Sequence, residues 1–335
     1  MPKARMNPTA RPLKEDMMQA NAIRHRDAVI DPYPTRVARE AQLLTRQEPT
    51  IYGDATSANK TGLSRAQLEH YEQHGYVHLE NYFTPREVAL MLETANKLAA
   101  DSSVDARYVI REPQSQTVRS VFAAHRLHPL FAALMQDRRL LTIAQYILGS
   151  EVYVHQSRVN FKPGFRGKEF YWHSDYETWH SEDGMPAMRA FSCSIALTDN
   201  SPHNGPLMVM PGSHRTFVSC VGETPENHYE KSLRKQEYGV PDDASLTTLA
   251  NAHGIDAPYG KAGSVTLFDC NTMHGSNSNI TPFARTNVFM VYNSVENKLV
   301  APYGGTTPRP EHIGAREHTP TLVPETPDYM ALSRK

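Results

Sequence analysis

A short segment near the middle of the chain combines residue types that bind metals. In the segment 170–175 (FYWHSD), a histidine and an aspartate are two residues apart. Alternate residues of a β-strand point to the same face, so a strand here would present the His173 imidazole and the Asp175 carboxylate side by side. Two ligands leave a metal site incomplete, so a third must come from elsewhere in the chain.

The candidate for the third ligand is His274, which lies 99 residues after Asp175 and follows a strand-like run. Two histidines and one carboxylate on one side of a metal form the facial triad of non-haem iron(II) oxygenases, which leaves coordination positions open for other ligands. The sequence therefore predicts an iron(II) site formed by His173, Asp175 and His274. We expect the same residues to support the catalysis.

An arginine and a hydroxyl group follow the second histidine. Arg285 comes eleven residues after His274, immediately before an apolar strand, and Ser276 lies two residues after His274. A guanidinium group binds a carboxylate through two parallel hydrogen bonds. We therefore expect Arg285 and Ser276 to hold the far carboxylate of an oxoacid such as 2-oxoglutarate, whose other end would bind the iron.

The front part of the chain is predicted to be mostly helical. Ser64 and Gln67 form a capping-box pattern for a helix that Gly75 ends, and Thr84 with Pro85 starts a second helix. A third helix is predicted from about His128 to Leu148. Residues 76–79 alternate like a strand, and the chain before about residue 60 is predicted to be a leader followed by an arm along the body.

From residue 151 onward, short β-type segments recur between turn signals, which favours a β-barrel or jelly roll. These segments are 152–159, 189–197, 207–210, 264–268 and 286–292. The stretch from Cys220 to Pro258 is polar and irregular, which predicts a lid or an ordered insertion. No glycine-rich nucleotide motif and no internal repeat is present.

Composition limits the classes of protein that this chain can belong to. Among 335 residues, 35 Lys and Arg balance 36 Asp and Glu, so the formal net charge is −1, which argues against a nucleic-acid partner. No apolar run reaches the length of a membrane span, and the N-terminus has no apolar signal-peptide centre. The three cysteines are widely spaced and read as small buried thiols. These features predict a cytoplasmic protein that does not act on a membrane.

The chain resembles the ectoine hydroxylases, a branch of the phytanoyl-CoA dioxygenase-like family of iron(II)- and 2-oxoglutarate-dependent oxygenases. The resemblance rests on the block 170–186 (FYWHSDYETWHSEDGMP), with further matches at 188–190, 194–198, 204–208, 211–214 and 271–276. The HxD…H…R pattern marks only the superfamily, whereas the long block is much more specific. The resemblance covers roughly residue 31 to the C-terminus, so residues 1–30 look like a flexible N-terminal extension.

The resemblance implies a mainly β fold with flanking helices, the double-stranded β-helix (a jelly roll, cupin-like). It implies a single oxygenase domain over residues 31–335, with a helical N-terminal part at about 60–150 and a jelly-roll core at about 151–300. It further implies iron(II) as cofactor, 2-oxoglutarate and O2 as co-substrates, and a homodimer.

The resemblance also assigns roles to individual residues. It makes His173, Asp175 and His274 the iron ligands. It assigns the binding of 2-oxoglutarate to Ser276 and Arg285, assisted by Asn160 and Thr178. It assigns the binding of ectoine, a cyclic amidinium carboxylate, to Gln156, Trp179 and Arg309. The second tryptophan, Trp172, is expected to pack in the core, and His180, His203 and His214 are not expected to bind the metal.

The implied reaction is hydroxylation of ectoine to 5-hydroxyectoine, with O2 consumed and succinate and CO2 released. The product would be a compatible solute that protects against osmotic and heat stress. Asp175 disfavours a halogenase, because halogenases of this superfamily lack the carboxylate ligand. Three alternatives stay open: a hydroxylase of another small cyclic amino acid, a non-catalytic jelly-roll protein that binds metal or an osmolyte, and a zinc hydrolase.

Overall fold

The structure is a computed structural model that describes residues 31–37, 39–54, 56–112, 117–232 and 238–334, without side chains at 231 and 232. Residues 33–335 form one compact unit. The predicted N-terminal extension, residues 1–30, lies outside the described residues. In the described part of the chain, no helix is long and apolar enough to cross a membrane.

The described helices lie mostly before residue 150. They are α1 (Arg65–His74), α2 (Pro85–Ala100), α3 (Ala124–Leu127), α4 (Pro129–Met135), α5 (Arg138–Leu148), α6 (Asp175–Thr178), α7 (Tyr229–Ser232), α8 (Asp243–His253) and α9 (Tyr329–Leu332), with a π-helix over Trp179–Asp183 and 3-10 helices over Ala58–Thr61, Ala106–Tyr108 and Ser213–Arg215.

The described strands belong to three antiparallel sheets. They are β1 (Gln42–Thr45), β2 (Tyr76–Leu79), β3 (Val109–Arg111), β4 (Val118–Phe122), β5 (Val152–Lys162), β6 (Phe170–His173), β7 (Ala190–Ala196), β8 (Leu207–Val209), β9 (Thr216–Ser219), β10 (Val265–Asp269), β11 (His274–Ser276) and β12 (Arg285–Ser294). The strand orders are β2-β10-β7-β12-β5-β4-β3 in the large sheet, β6-β11-β8 in the small sheet, and β1-β9.

The large sheet buries both of its faces. Alternate residues of β7 and β12, such as Ile195 and Met290, share one apolar cluster with helix residues such as Met91 and Leu141. On the other face, Leu207 and Val209 of the small sheet pack against residues of the large sheet in a second cluster. The period of two along each strand thus divides the side chains between a helix-facing core and the space between the sheets. This mainly β architecture with flanking helices is the predicted one.

The helix starts and stops predicted from the sequence are largely confirmed. Ser64 and Thr84 each form a complete capping box, and Gly75 ends α1 with a left-handed backbone. The single helix predicted over 128–148 is wrong: two helices occur, because the Asp137 side chain caps the Arg139 amide and starts α5 after α4 has ended.

The front part of the chain is less helical than predicted. The short strands β3 and β4 lie there and extend the large sheet beside β5. The predicted arm along the body is confirmed, because β1 pairs with β9. Gln42 lies opposite Ser219, and Thr45 lies opposite Thr216. The stretch 220–258 is not wholly irregular, since Asp242 caps α8 and Leu246 and Leu249 are buried. The three cysteines are free and buried, as expected.

Gly184 closes the π-helix that follows the predicted metal-binding segment. Its backbone is left-handed (φ +74°), and a Cβ atom there would lie 2.1 Å from the carbonyl oxygen of Val300. The Val300 amide in turn donates a 2.9 Å hydrogen bond to the Gly184 carbonyl. A side chain at this position would therefore push the π-helix and residue 300 apart.

We predict that Gly184→Ala lowers the free energy of unfolding by roughly 3 kcal/mol or more, because backbone strain adds to a steric clash. Gly305→Ala is the matched control: its φ is +73°, but no atom lies within 4 Å of the added Cβ. The control should lose only about 1–2 kcal/mol. Chemical denaturation of both variants measures the difference, and equal losses would contradict this description of the turn.

Candidate active site

Pairing of two short strands brings the predicted histidines together. β6 and β11 run antiparallel, and His274 lies directly opposite His173, with the ring centroids 4.3 Å apart. The expectation that Asp175 shares a strand with His173 is wrong. β6 ends at His173, and Asp175 is the first residue of α6, so a turn through Ser174 brings the carboxylate back to the imidazoles.

The three side chains form a compact donor set. One ligand atom from each of His173, Asp175 and His274 lies within 4.8 Å of the others. His173 Nε2 is 3.7 Å from Asp175 Oδ1, and His274 Nε2 is 3.9 Å from Asp175 Oδ2. These are the separations of groups that share a metal ion rather than of directly hydrogen-bonded pairs.

Hydrogen bonds orient each donor toward the common centre. The Nδ1–H groups of His173 and His274 donate to the backbone carbonyls of Tyr171 and Thr272, at 2.7 and 3.0 Å. This leaves both Nε2 lone pairs for a metal, as is usual for metal-binding histidines. The Ser192 hydroxyl donates to Asp175 Oδ2 at 3.1 Å and restrains the carboxylate.

The electrostatics keep the donors in the forms that bind a cation. Burial and the neighbouring His274 lower the pKa of His173 to about 4, so its imidazole is neutral at pH 7. Burial alone would raise the pKa of Asp175, but the groups around it, His274, His173, Arg158 and the Ser192 hydroxyl, together outweigh burial and hold this pKa below its usual range. A neutral imidazole and an ionised carboxylate are the forms that metals require. The donor set therefore fits iron(II).

A cluster of cations lies beside the same strand. Arg285 begins β12 opposite Lys162, the last residue of β5. Nζ of Lys162 donates to Ser276 Oγ at 2.7 Å and to the Asn277 carbonyl at 2.6 Å. Ser276 is two residues beyond His274 on β11, so the cations and the metal donors share one strand.

This cluster carries more positive than negative charge. Arg119, Lys162 and Arg285 are all buried, but among the described residues only Arg119 has a carboxylate partner, Glu112 at 3.0 Å. Arg285 Nε is buried without a hydrogen-bond partner there. Burial and then Arg285 lower the pKa of Lys162 to about 6, and burial and Arg119 lower that of Arg285 to about 10. Buried unpaired cations are costly, so the arrangement fits a bound anion such as a carboxylate.

Two of the metal donors, His173 and Asp175, line a cavity. It is lined by Ser120, Phe122, Gln156, Arg158, Phe170, His173, Asp175, Thr178, Trp179, Glu182, Tyr238 and Arg309. The cavity therefore contains every residue that was expected to bind substrate. Thr178 lies there as well, whereas Asn160 is buried outside the lining and accepts a 2.7 Å hydrogen bond from Ser120, which lines the cavity.

The residues expected to bind substrate already have protein partners. Gln156 donates to the Ile313 carbonyl at 2.6 Å and accepts from Arg158 at 3.0 Å. Arg309 Nε donates to Asp183 Oδ1 at 2.7 Å, and its Nη2 donates to the other oxygen. Both side chains thus line the cavity. Their hydrogen bonds also hold the C-terminal segment in place beside it.

Sequence reasoning missed several residues of the site. Arg158 and Lys162 lie on the same face of β5 as Gln156 and Asn160, so the alternation along this strand was a usable signal. Tyr238 and Glu182 lack such a signal, because neither residue belongs to a regular strand or α-helix. Of the other histidines considered, His180 and His214 are buried and His203 is exposed, and the candidate metal-binding group of the described residues consists of His173, Asp175 and His274. Trp172 is only partly buried, beside a small apolar cluster.

A jelly roll with a His-Asp-His site and an adjoining anion site defines the class of non-haem iron oxygenases that use an oxoacid. The family model described as phytanoyl-CoA dioxygenase (PhyH) matches residues 71–287. The chain is 57% identical over 288 residues to the ectoine dioxygenase of Bordetella bronchiseptica, covering 86% of this chain and 93% of that one. With the ectoine dioxygenase of Stutzerimonas stutzeri it shares 52% over 301 residues, 90% and 99% of the two chains. The chain therefore belongs to the phytanoyl-CoA dioxygenase family, in the branch of the ectoine dioxygenases.

Solved structures agree with this placement. The crystal structure of EctD from S. alaskensis with 2-oxoglutarate and 5-hydroxyectoine matches with a TM-score of 0.79 and 47% identity, over 88% of this chain and 98% of that chain. The structure of the same protein with bound Fe matches equally well. The fold is thus the double-stranded β-helix expected from the sequence.

We predict that Asp175→Ala weakens iron(II) binding by roughly 100-fold or more, because it removes the anionic ligand. Ser192→Ala is the graded control: it keeps the carboxylate but removes its hydrogen bond, and should weaken binding by about tenfold. Anaerobic titration with iron(II) measures both affinities, and the exposed Asp199→Ala should leave the affinity unchanged. Wild-type affinity in Asp175→Ala would mean that the metal binds elsewhere.

Proposed function

We propose that this protein is an iron(II)- and 2-oxoglutarate-dependent dioxygenase that hydroxylates ectoine to 5-hydroxyectoine. O2 is consumed, and succinate and CO2 are released. The observation that carries the proposal is the position of the His-Asp-His set between a buried cation cluster and a cavity. The crystal structure of EctD from S. alaskensis, which is 47% identical to this chain, contains 2-oxoglutarate and 5-hydroxyectoine.

We propose that His173, Asp175 and His274 hold the iron, which when bound activates O2 for the oxidation of a C–H bond. Arg285, Ser276 and Lys162 bind the far carboxylate of 2-oxoglutarate, and Asn160 and Thr178 assist. Binding of this carboxylate pairs the buried Arg285 guanidinium and favours the charged form of Lys162. The negative charge of 2-oxoglutarate therefore balances the positive charge of the basic residues at the site.

The substrate pocket suits a small cyclic zwitterion. Trp179 offers a flat wall for the amidinium ring, Gln156 faces the ring, and Arg309 pairs with the carboxylate. Supporting this, Arg309 Nη1 makes no hydrogen bond among the described residues, although Nε and Nη2 bind Asp183. The aromatic side chains of Phe122 and Tyr238 restrict water around the target C–H bond.

Several further features follow from the proposed function. We propose that residues 31–335 act as one oxygenase domain with residues 1–30 as an extension, and that the protein works in the cytoplasm as a homodimer. Its product would serve as a compatible solute in osmotic and heat stress. Neither a nucleic acid nor a membrane is needed as partner.

The direct test incubates the anaerobically iron-loaded protein with 2-oxoglutarate and O2, with and without ectoine, and measures succinate and product mass. We expect one succinate for each 5-hydroxyectoine. If ectoine stays unchanged while another cyclic amino acid such as proline is oxidised, the mechanism stands and the substrate is wrong. If no succinate forms with any substrate, the protein is a binding protein rather than an oxygenase.

We expect Lys162 to take up a proton when 2-oxoglutarate binds. Its pKa is lowered to about 6, so between about pH 6 and its ordinary value near 10.5 the free protein holds it uncharged. An adjacent carboxylate favours the charged form and raises this pKa. We therefore predict that at pH 8 the protein takes up nearly one proton for each 2-oxoglutarate bound.

Calorimetry in buffers of different ionisation enthalpy measures this uptake on the anaerobic iron-loaded protein. The uptake should fall toward zero near pH 5, where Lys162 is already protonated, and should disappear in Lys162→Met. Arg285→Lys provides the control, because it weakens binding without removing the titrating lysine. If the heat of 2-oxoglutarate binding to the wild type at pH 8 is the same in all buffers, no proton is taken up. Lys162 would then not face the bound anion.

A further inference from the structure

A carboxylate faces the cavity beside the residues assigned to substrate. Among the described residues that line the cavity, Glu182 is the carboxylate other than the metal ligand Asp175. It is only 4% exposed and belongs to the π-helix that also carries Trp179. Its Oε1 accepts a 2.6 Å hydrogen bond from Arg36 Nη1, whereas no hydrogen bond to Oε2 is present among the described residues.

Neighbouring residues of the π-helix give the cavity wall both signs of charge. Glu182 contributes a carboxylate, and the next residue, Asp183, holds the guanidinium of Arg309 in place. Glu182 and Arg309 therefore line the same cavity as an anion and a cation. In ectoine, the carboxylate is attached to the ring carbon next to the amidinium, so a zwitterion of this shape matches the two charges at once.

Among the described residues, the carboxylate of Glu182 is only partly satisfied by the protein. Arg36 donates from Nε and Nη2 to the two carboxylate oxygens of Glu177, at 2.8 and 2.6 Å, and from Nη1 to Glu182. All three side chains are buried, and Arg36 is shared between the two carboxylates, so it contacts Oε1 of Glu182 and leaves Oε2 without a donor among the described residues. A buried carboxylate oxygen without a donor is unfavourable, and a cationic ligand that donates to it satisfies it.

We propose that Glu182 is a substrate-binding residue, whose carboxylate accepts a hydrogen bond from the amidinium of ectoine, and that Arg36 is the positioning residue that holds it. This inference rests on the proposed function and adds the group that recognises the positive end of the substrate. Gln156 and Trp179 contribute shape and hydrogen bonding, but neither contributes charge.

Contacts on several sides hold the Arg36 side chain in one position. Besides the two glutamates it contacts Thr224 Oγ1, and its backbone amide donates to the Cys220 carbonyl at 2.8 Å. Gly239 packs against the ion pair so closely that a Cβ there would lie 2.3 Å from Arg36 Nη2. The adjoining Tyr238 lines the cavity. The Arg36 guanidinium thus connects the N-terminal arm to the π-helix through Glu182. It also lies against Gly239, whose neighbour Tyr238 lines the cavity.

The test measures ligand binding without turnover. Both tryptophans of the chain, Trp172 and Trp179, lie in or beside the site, so tryptophan fluorescence under anaerobic conditions reports binding. We expect Glu182→Gln to raise the Kd for ectoine by roughly tenfold or more, and to change the Kd for 2-oxoglutarate by less than about twofold. The wild type should prefer ectoine over cyclohexanecarboxylate, which lacks the amidinium, and Glu182→Gln should lose most of that preference.

Glu177→Gln is the matched control, because Glu177 shares Arg36 but does not line the cavity. It should lower the thermal midpoint at least as much as Glu182→Gln, yet change the Kd for ectoine by less than about threefold. Arg36→Lys keeps one charge but cannot satisfy both carboxylates, so ectoine affinity should fall between the wild type and Glu182→Gln. If Glu182→Gln does not fold, Glu182→Asp replaces it and should still weaken ectoine binding, since the carboxylate is retracted.

Two results would overturn the inference. One is wild-type affinity for ectoine in Glu182→Gln. The other is an equal loss of ectoine affinity in Glu177→Gln, which would make the effect a general consequence of breaking the ion pair. A wild-type protein that binds 2-oxoglutarate but not ectoine would instead refute the proposed function.

Discussion

The antiparallel pairing of β6 with β11 is the interaction on which the site depends. It joins strands about one hundred residues apart in sequence and sets His173 opposite His274. A shift of one residue would turn one imidazole to the other face of the small sheet and would separate the metal donors. The surrounding layers hold this register: β8 pairs with the other edge of β11, and apolar residues of the small sheet pack against the large sheet.

Charge burial explains how the space between the sheets is used. At one end lie Arg119, Lys162 and Arg285, with the carboxylate of Glu112 as their partner in the described chain. At the other end one guanidinium is shared by two glutamates. The first end has excess positive charge among the described residues, and at the second end Oε2 of Glu182 has no hydrogen-bond donor among them, so each end offers an unsatisfied group to a ligand. An anionic co-substrate and a ligand with a cationic ring are complementary to these two ends, with the metal donors between them.

Much of this arrangement is predictable from the sequence, because its signals are local. The capping residues of α1 and α2, the alternation in β5 and β12, and the spacing from His173 to Arg285 each follow from periodicity or residue chemistry. Other features depend on tertiary contacts. Asp175 lies on a helical turn rather than a strand, β3 and β4 form only because β5 offers an edge, and Glu182 reaches the cavity because a π-helix turns it there.

The central claim is that one strand, β11, connects a metal site to an anion site. The most direct measurement is a crystal structure of the protein grown anaerobically with iron(II) and 2-oxoglutarate. We predict an anomalous iron peak bonded to Nε2 of His173, Nε2 of His274 and a carboxylate oxygen of Asp175. The far carboxylate of 2-oxoglutarate should lie between Arg285 and Lys162, within hydrogen-bond distance of Ser276. Iron bound at other residues, or a co-substrate carboxylate bound at Arg309 instead, would contradict the account.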